Sequence, residues 1–382
     1  MECTLYLTDY CNLRCSYCYQ GDSKKLTFLS RDRLEKSLEF IINTNVKGEN
    51  IYLNFLGGEP LLKKELIHDA VNIINRKYKK YSKLFEYSIT TNCILIDDKL
   101  IKLFKDNEFD VSMSIDGDEH THNINRKPID KTNKYEVILS NIKKLNSEGI
   151  KNNIRMTITK NNVDFLYNNV LYFHNLGFTR FCLGIDYFAD WDDISLSMLD
   201  SQLEKVKRFY LSNIQKSEDI TVDLFDGKFT SIIIDKKILF CNAGTKGHLV
   251  INSEGDLYPC TFVSNDEDWS IGNIDNGLNS TRFKNTIRKN IFKGIECDNC
   301  SINFTCQGRK CGFLNYSQTK YLNKSTPLLC KIEKIIYRHN TQILKEFYKN
   351  NNSKLMEILN CAKEHNLKLR SELDDIFECS VN

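Results

Sequence analysis

Cys11-Asn12-Leu13-Arg14-Cys15-Ser16-Tyr17-Cys18 directly follows the apolar run Thr4–Leu7. The spacing C-x3-C-x2-C places three thiols on one short loop at the exit of an expected first strand. Three thiolates can hold three irons of a [4Fe–4S] cube and leave the fourth iron without a protein ligand. Such an iron is free to bind a small molecule. A structural zinc site is the competing reading, but it closes with four ligands. The first sixty residues contain no histidine, and Cys3 is the only other cysteine among them.

The pattern around this loop repeats. Short β-rich runs (Thr4–Leu7, Ile51–Phe55, Glu86–Thr90, Val111–Ile115, Asn153–Ile158, Phe181–Ile185) alternate with helical patterns near 30–43, 63–80, 97–106, 134–148 and 163–175. Six strands joined by helices imply βα units, a parallel sheet and right-handed crossovers that curl it into a partial barrel. Chemistry in such barrels collects at the C-terminal ends of the strands. The polar and Gly-rich clusters sit there: the cysteine loop after Leu7, Gly57-Gly58-Glu59-Pro60 after Phe55, Thr90-Thr91-Asn92, and Ser114 to Gly117.

A second cysteine group lies far downstream: Cys241, then Gly255-Asp-Leu-Tyr-Pro-Cys260, then Cys297-x2-Cys300-x5-Cys306-x4-Cys311, then Cys330. Seven thiols in one region exceed what a single metal needs, so two sites are the economical reading. One zinc ribbon with spare thiols is the alternative. The remaining five cysteines (Cys3, Cys93, Cys182, Cys361, Cys379) are scattered and read as small buried residues or idle thiols.

The chain has 382 residues and fifteen cysteines, with 53 Lys and Arg against 50 Asp and Glu, a net charge of +3. Clustered cysteines without a secretory signal point to a reducing, cytoplasmic compartment and to metal or redox work. No compact basic block interleaved with aromatics supports nucleic-acid binding. No apolar run reaches the roughly 18–20 residues of a membrane helix. Cys379–Asn382 has the outline of a prenylation box, which reads as coincidence.

The two cysteine groups and the GGEP turn resemble radical S-adenosylmethionine (SAM) enzymes that carry a C-terminal SPASM domain. That resemblance implies an α/β fold: a partial (β/α)6 TIM-like barrel, a Cys-rich domain with two auxiliary clusters, and a helical cap. The expected divisions are barrel 1–194, bridging helices 195–240, SPASM domain 241–330 and C-terminal helices 331–382. It implies SAM and three [4Fe–4S] clusters. Cys11, Cys15 and Cys18 would hold the SAM-binding cluster, Cys297, Cys300, Cys306 and Cys330 the outer auxiliary one, and Cys241, Cys260 and Cys311 the inner one. Four residues separate Cys306 and Cys311 where the family has three. Some relatives have a fourth inner Cys at the position of Gly247, so the inner cluster is expected to keep an open iron. His248 beside it reads as structural.

For SAM itself the resemblance points to Tyr17, to Gly57, Gly58 and Glu59 at the methionine ammonium, and to the strand ends at Asn92 and Asp116. Ser114 and Arg126 are candidates for the carboxylate and ribose, and Leu183 for the adenine. The implied activity is hydrogen abstraction from a peptide or protein. Leu224-Phe225-Asp226-Gly227 and overall length resemble anaerobic sulfatase-maturing enzymes, which oxidise Cys or Ser to formylglycine. That branch places an Asp directly after the GxxxxC cysteine as base, and here the residue is Thr261. A hydroxyl is a poor base at neutral pH. The expectation is therefore thioether cross-linking in a ribosomally made Cys-containing precursor peptide. Formylglycine formation and carbon–carbon cross-linking or epimerisation are the alternatives. A flavodoxin- or ferredoxin-type donor would supply electrons. The chain starts almost at the barrel, so leader binding is expected elsewhere than on a preceding domain. An electron carrier without SAM chemistry would leave the GGEP turn and the strand-end polar set without purpose.

Overall fold

The computed structural model describes residues 1–21, 26–45, 48–235, 241, 243–245, 247–264, 266–294, 297–371 and 373. Cys379 and the Cys379–Asn382 segment lie outside the described residues. The strands are β1 (Glu2–Tyr6), β2 (Leu13–Cys15), β3 (Ile51–Leu56), β4 (Phe85–Thr91), β5 (Asp110–Ser114), β6 (Arg126–Pro128), β7 (Asn152–Ile158), β8 (Arg180–Ile185), β9 (Thr221–Val222), β10 (His248–Ile251), β11 (Asp256–Tyr258), β12 (Gly272–Asn273) and β13 (Gly277–Leu278). The helices are α1 (Arg31–Thr44), α2 (Lys64–Arg76), α3 (Asp98–Asp106), α4 (Glu119–Asn125), α5 (Tyr135–Ser147), α6 (Leu166–Asn175), α7 (Asp193–Gln215), α8 (Asp223–Ile233), α9 (Ser280–Lys289), α10 (Gln307–Lys310), α11 (Gly312–Thr319), α12 (Pro327–Lys349) and α13 (Ser353–Glu364). Among the described residues, no helix is long and apolar enough to cross a membrane.

The chain divides into two compact units. The first comprises 1–156, 175–178 and 242–290; the second comprises 157–174, 179–241 and 291–382. One division between the units falls at 241–242, and the others fall after 156, 174, 178 and 290.

In the first unit the strand order is β13-β12-β11-β10-β1-β3-β4-β5-β7. From β10 through β7 neighbouring strands run parallel, and β10 to β13 form an antiparallel meander. The start of the expected SPASM region therefore extends the same sheet as β1. The burial of β3 and β4 alternates along the strand, so one face packs into the core and the other meets helices or solvent. Phe109 stacks between Phe55 (centroids 6.0 Å) and Tyr87 (5.0 Å), an apolar floor under β3 to β5. Helix starts follow their side chains. Ser30, Asp97 and Asp118 each cap α1, α3 and α4 by accepting an N–H from the first turn. Because the strands are parallel, their C-terminal ends share one edge, and all four motif segments emerge there.

The second unit holds β8, paired in parallel with β9, and the long helices α7, α8 and α12. Asp192 caps α7, and Thr326 with Pro327 at the first helical position opens α12. The C-terminal helices expected over 331–382 include α12 and α13, separated at 350–352, where Asn351 takes a positive φ of 46°.

Candidate functional site

The cysteine loop is pinned on both flanks. β2 pairs antiparallel with β6, setting Cys15 opposite Arg126. Ser16 donates its N–H to the Asn125 carbonyl (2.9 Å) and its hydroxyl to Asn125 Oδ1 (2.8 Å). Asn92 Nδ2 donates to Asn12 Oδ1 (2.7 Å), tying the β4 exit to the loop. Cys11 Sγ accepts the Leu13 N–H at 3.4 Å, a contact that favours the thiolate. Cys11 is buried, and Cys15 and Cys18 are half-buried. Burial pushes the Cys15 thiol up to about 11, with the charges of Arg126, Asp116, Cys11 and Cys18 all within reach. Such a thiol needs a bound cation to become a thiolate at neutral pH. Three thiols so grouped fit the three-iron corner of a cube. Among the described residues no three His, Cys, Asp or Glu side chains converge as ligands of one ion. In a cube each thiolate takes its own iron.

The GGEP turn is pressed against the segment entering that loop by backbone hydrogen bonds, and Gln20 Nε2 adds a bond to the Gly57 carbonyl (3.3 Å). Gly58 N–H donates to the Thr8 carbonyl (2.8 Å) and Glu59 N–H to the Tyr10 carbonyl (2.9 Å). Gly57 has φ +145°, and a Cβ there would lie 2.1 Å from Thr8 O; one on Gly58 would lie 2.2 Å from Tyr10 O. Only glycine fits either position. The Glu59 carboxylate is buried and accepts from Leu61 N (3.0 Å), Thr91 Oγ1 (2.7 Å) and Asn92 N (2.8 Å). It locks the ends of β3 and β4 together.

Asp116, just past β5, is the hub of a buried triad. Tyr17 donates its hydroxyl to Asp116 Oδ2 (2.7 Å), and Arg126 Nη2 donates to Oδ1 (3.0 Å) while its Nε lies 3.0 Å from Oδ2. The Arg126 guanidinium also sits 5.5 Å from the Tyr17 ring centroid. Arg126 is thus held by Asp116 in this structure. Ser114 is buried at the end of β5. Leu183 is buried in β8 of the second unit, where its N–H donates to Asp223 Oδ1 (2.7 Å).

His122 on α4 packs edge-on against Tyr135 (5.6 Å), with a buried Nδ1 that has no hydrogen-bond partner. Burial first, and then the Arg126 charge, push it down from 6.5 to about 4. The unfolded chain takes up this proton near pH 6.5, and the folded chain refuses it until about pH 4. Stability contributed here is intact above pH 6.5 and falls by about 3 kcal/mol as pH drops to 4. Urea melts across that window should show His122→Gln losing less stability than the parent. Equal slopes for both proteins would contradict this.

In the second unit, Cys297, Cys300, Cys306 and Cys330 line one cavity of about 430 Å³. Tight turns set them: Cys300 N–H donates to Cys297 O (3.4 Å), Cys306 N–H to Ile302 O (3.1 Å), and Cys330 opens α12 through Thr326 O (3.1 Å). Burial pushes Cys306 up to about 12. Four thiols around one cavity fit a fully ligated cluster. The four residues between Cys306 and Cys311 form the short helix α10. Cys241 N–H donates to the Lys310 carbonyl (3.2 Å), and Cys241 is close enough to raise the Cys311 thiol further after burial. Two of the three expected inner ligands therefore stand together.

Cys260 lies in the first unit, at the exit of β11. Beside it the Thr261 hydroxyl bonds Tyr19, whose hydroxyl lies 3.3 Å from that of Tyr6, while the Tyr19 ring packs on Phe262 at 5.3 Å. Sequence reading missed this hydroxyl chain, as well as Asn12, Ser16, Asn125 and His122. Asn12 and Ser16 were visible inside the cysteine loop. The others depend on tertiary pairing. His248 Nδ1 lies 2.9 Å from Glu2 Oε2 on the neighbouring strand, a pair at the starts of β10 and β1. Asp226 of the Leu224–Gly227 segment binds Tyr210 Oη, Val222 N and Lys354 Nζ (2.8 Å each), so that motif is scaffold.

The family model of the radical SAM superfamily matches residues 5–190, and that of the iron–sulfur cluster-binding SPASM domain matches residues 241–307. The chain is a radical SAM enzyme with a SPASM domain. These domains imply [4Fe–4S] clusters and SAM. The radical SAM match encloses the cysteine loop, the GGEP turn and the Asp116 triad, and the SPASM match ends just after Cys306. A Cys-type anaerobic sulfatase-maturating enzyme of Clostridium novyi (strain NT) is 28% identical over 313 residues, 76% of this chain and 82% of the relative. Among solved structures, hexahistidine-tagged anSMEcpe with bound AdoMet superposes with a TM-score of 0.77 at 21% identity, covering 94% of this chain and 98% of that one. SuiB of Streptococcus suis bound to S-adenosylmethionine gives 0.59 at 17% identity, covering 86% and 76%. The α/β radical SAM/SPASM fold expected from the cysteine spacing is the one these structures share.

Proposed function

We propose that this radical SAM enzyme, which modifies peptides or proteins, acts on a ribosomally made Cys-containing precursor peptide and closes a thioether from cysteine sulfur to carbon. Cys11, Cys15 and Cys18 would hold the SAM-binding cluster, Cys297, Cys300, Cys306 and Cys330 the outer cluster, and Cys241, Cys260 and Cys311 the inner one. Held by these cysteines, the SAM-loaded cluster would supply a carbon-centred radical for hydrogen abstraction from the substrate. The chain's own part is placement. Gly57 and Gly58 let the backbone close on the cysteine loop, Glu59 fixes the strand ends, and the Asp116 triad braces the loop from the other side. A flavodoxin- or ferredoxin-type protein is the proposed electron donor.

Thr261 carries the choice of product. It stands where formylglycine formation calls for a carboxylate base, and its hydroxyl is engaged with Tyr19. Besides the hydrogen atom taken from carbon, a thioether needs a thiol that loses its proton and an acceptor for the one remaining electron, a part an auxiliary cluster would play, and Gly247 puts no fourth cysteine at the inner site. The second reading is formylglycine formation, favoured by the Clostridium novyi relative and by the anSMEcpe structure, which also superposes with a bound Cp18Cys peptide in place. SuiB bound to its precursor peptide SuiA keeps the first reading in view.

The test is anaerobic incubation of reconstituted enzyme, SAM and reductant with the peptide encoded beside its gene. The thioether reading expects loss of two hydrogens and one thiol that resists alkylation. Loss of two hydrogens with every thiol still alkylatable would mean a carbon–carbon link. A hydrazine-reactive aldehyde at cysteine would establish formylglycine instead.

A further inference from the structure

We propose that the buried Lys228–Glu333 ion pair positions the outer auxiliary cluster and sets its reduction potential. Both residues lie in the second unit, on α8 and α12, and neither belongs to the cysteine set. Lys228 is 8% and Glu333 2% exposed, and Nζ lies 2.7 Å from Oε2. The pair grips both neighbours of Cys306. Lys228 donates to the Thr305 carbonyl (2.9 Å), and Glu333 Oε2 accepts the Gln307 N–H (2.6 Å). Glu333 also stands one helical turn past Cys330 on α12, so a single carboxylate fixes two of the four cysteines that line the 430 Å³ cavity. Its other oxygen accepts from Tyr187 (3.3 Å), which lies just beyond the end of β8.

Stability alone does not explain such a pair. Taking two charges out of water costs several kcal/mol each, and apolar residues of similar volume often serve a core as well or better. What the pair offers is rigid placement plus two opposed charges in a low-dielectric region beside a redox centre. Cluster potentials follow local charge and hydrogen bonding, and groups behind the ligands set both. Removing the negative member leaves a net positive field, which favours the reduced cluster. Removing the positive member does the opposite.

The experiment is an EPR-monitored redox titration of the full-length reconstituted enzyme. The outer-cluster signal is assigned as the one absent from Cys297→Ala. Glu333→Gln should move that signal's midpoint to more positive potential, Lys228→Met to more negative, and the double variant back toward the parent value. The SAM-cluster signal should stay unmoved throughout. Far-UV circular dichroism confirms folding. A variant that folds but drops from about 12 to about 8 irons per chain shows the positional half of the proposal directly. Full iron content with both single variants at the parent potential, or with both shifted in the same direction, would overturn it.

Discussion

Gly58→Ala is expected to abolish SAM cleavage while leaving the SPASM clusters in place. The added Cβ would fall 2.2 Å from the Tyr10 carbonyl oxygen and 2.4 Å from its carbon. Both atoms are backbone, so no side chain can swing away, and the segment leading into Cys11 must move. A shift of about 1 Å in a reacting constellation costs on the order of 100-fold in rate, and here the displaced element holds the cofactor. Gly57→Ala should behave alike, because its φ of +145° adds backbone strain to the clash with Thr8. Gly227 is the matched control: its Cβ would meet open space inside α8. Gly227→Ala should keep full activity and gain up to about 1 kcal/mol of stability. The measurement is 5′-deoxyadenosine formed per enzyme under reducing, anaerobic conditions. Parent-like formation by Gly58→Ala would show that the close approach of the two loops is dispensable.

The second large effect is thermodynamic. Asp116→Ala strips the carboxylate from a site that is fully buried on its side and nearly so on that of Arg126. It leaves a buried guanidinium without the carboxylate that raises its pKa, and a guanidinium does not shed its proton inside a protein. Breaking a buried pair from one side costs about 3–5 kcal/mol, and Tyr17 loses its acceptor as well. At roughly 2–4 °C per kcal/mol for a unit of this size, the melting temperature should fall by about 10 °C. Arg126→Met combined with Asp116→Ala should recover part of that loss, since no orphan charge remains. A double variant less stable than Asp116→Ala alone would show that the arginine stabilises the fold through other contacts.

The strand starts and ends were readable because each strand is a short β-rich run ended by a glycine or a polar pair. Parallel order then put Cys11, Glu59, Asn92 and Asp116 on one edge. What escaped was everything decided by long-range pairing. β2 and β6 are three residues each, too short for a periodic signal, yet their pairing sets Cys15 opposite Arg126. Helix α8 lies inside the bridging helices expected over 195–240, but the Leu224–Gly227 segment within it looked like a motif, and Asp226 proves to anchor helices. Glu59 was read for its charge, and its donors Thr91 Oγ1 and Asn92 N reach it only once β3 and β4 are side by side. The Lys228–Glu333 pair, 105 positions apart, left no trace in local pattern. Cys311 follows α10 directly, and Cys241, 70 positions earlier, stands close to it.

The most direct test of the account measures iron, zinc and 5′-deoxyadenosine together in the parent enzyme and in Cys15→Ala. The parent should bind about 12 irons per chain as three clusters and form 5′-deoxyadenosine from SAM. Cys15→Ala should form none and retain about 8 irons. A parent with about 4 irons plus zinc, or a Cys15→Ala variant that still cleaves SAM, would contradict it.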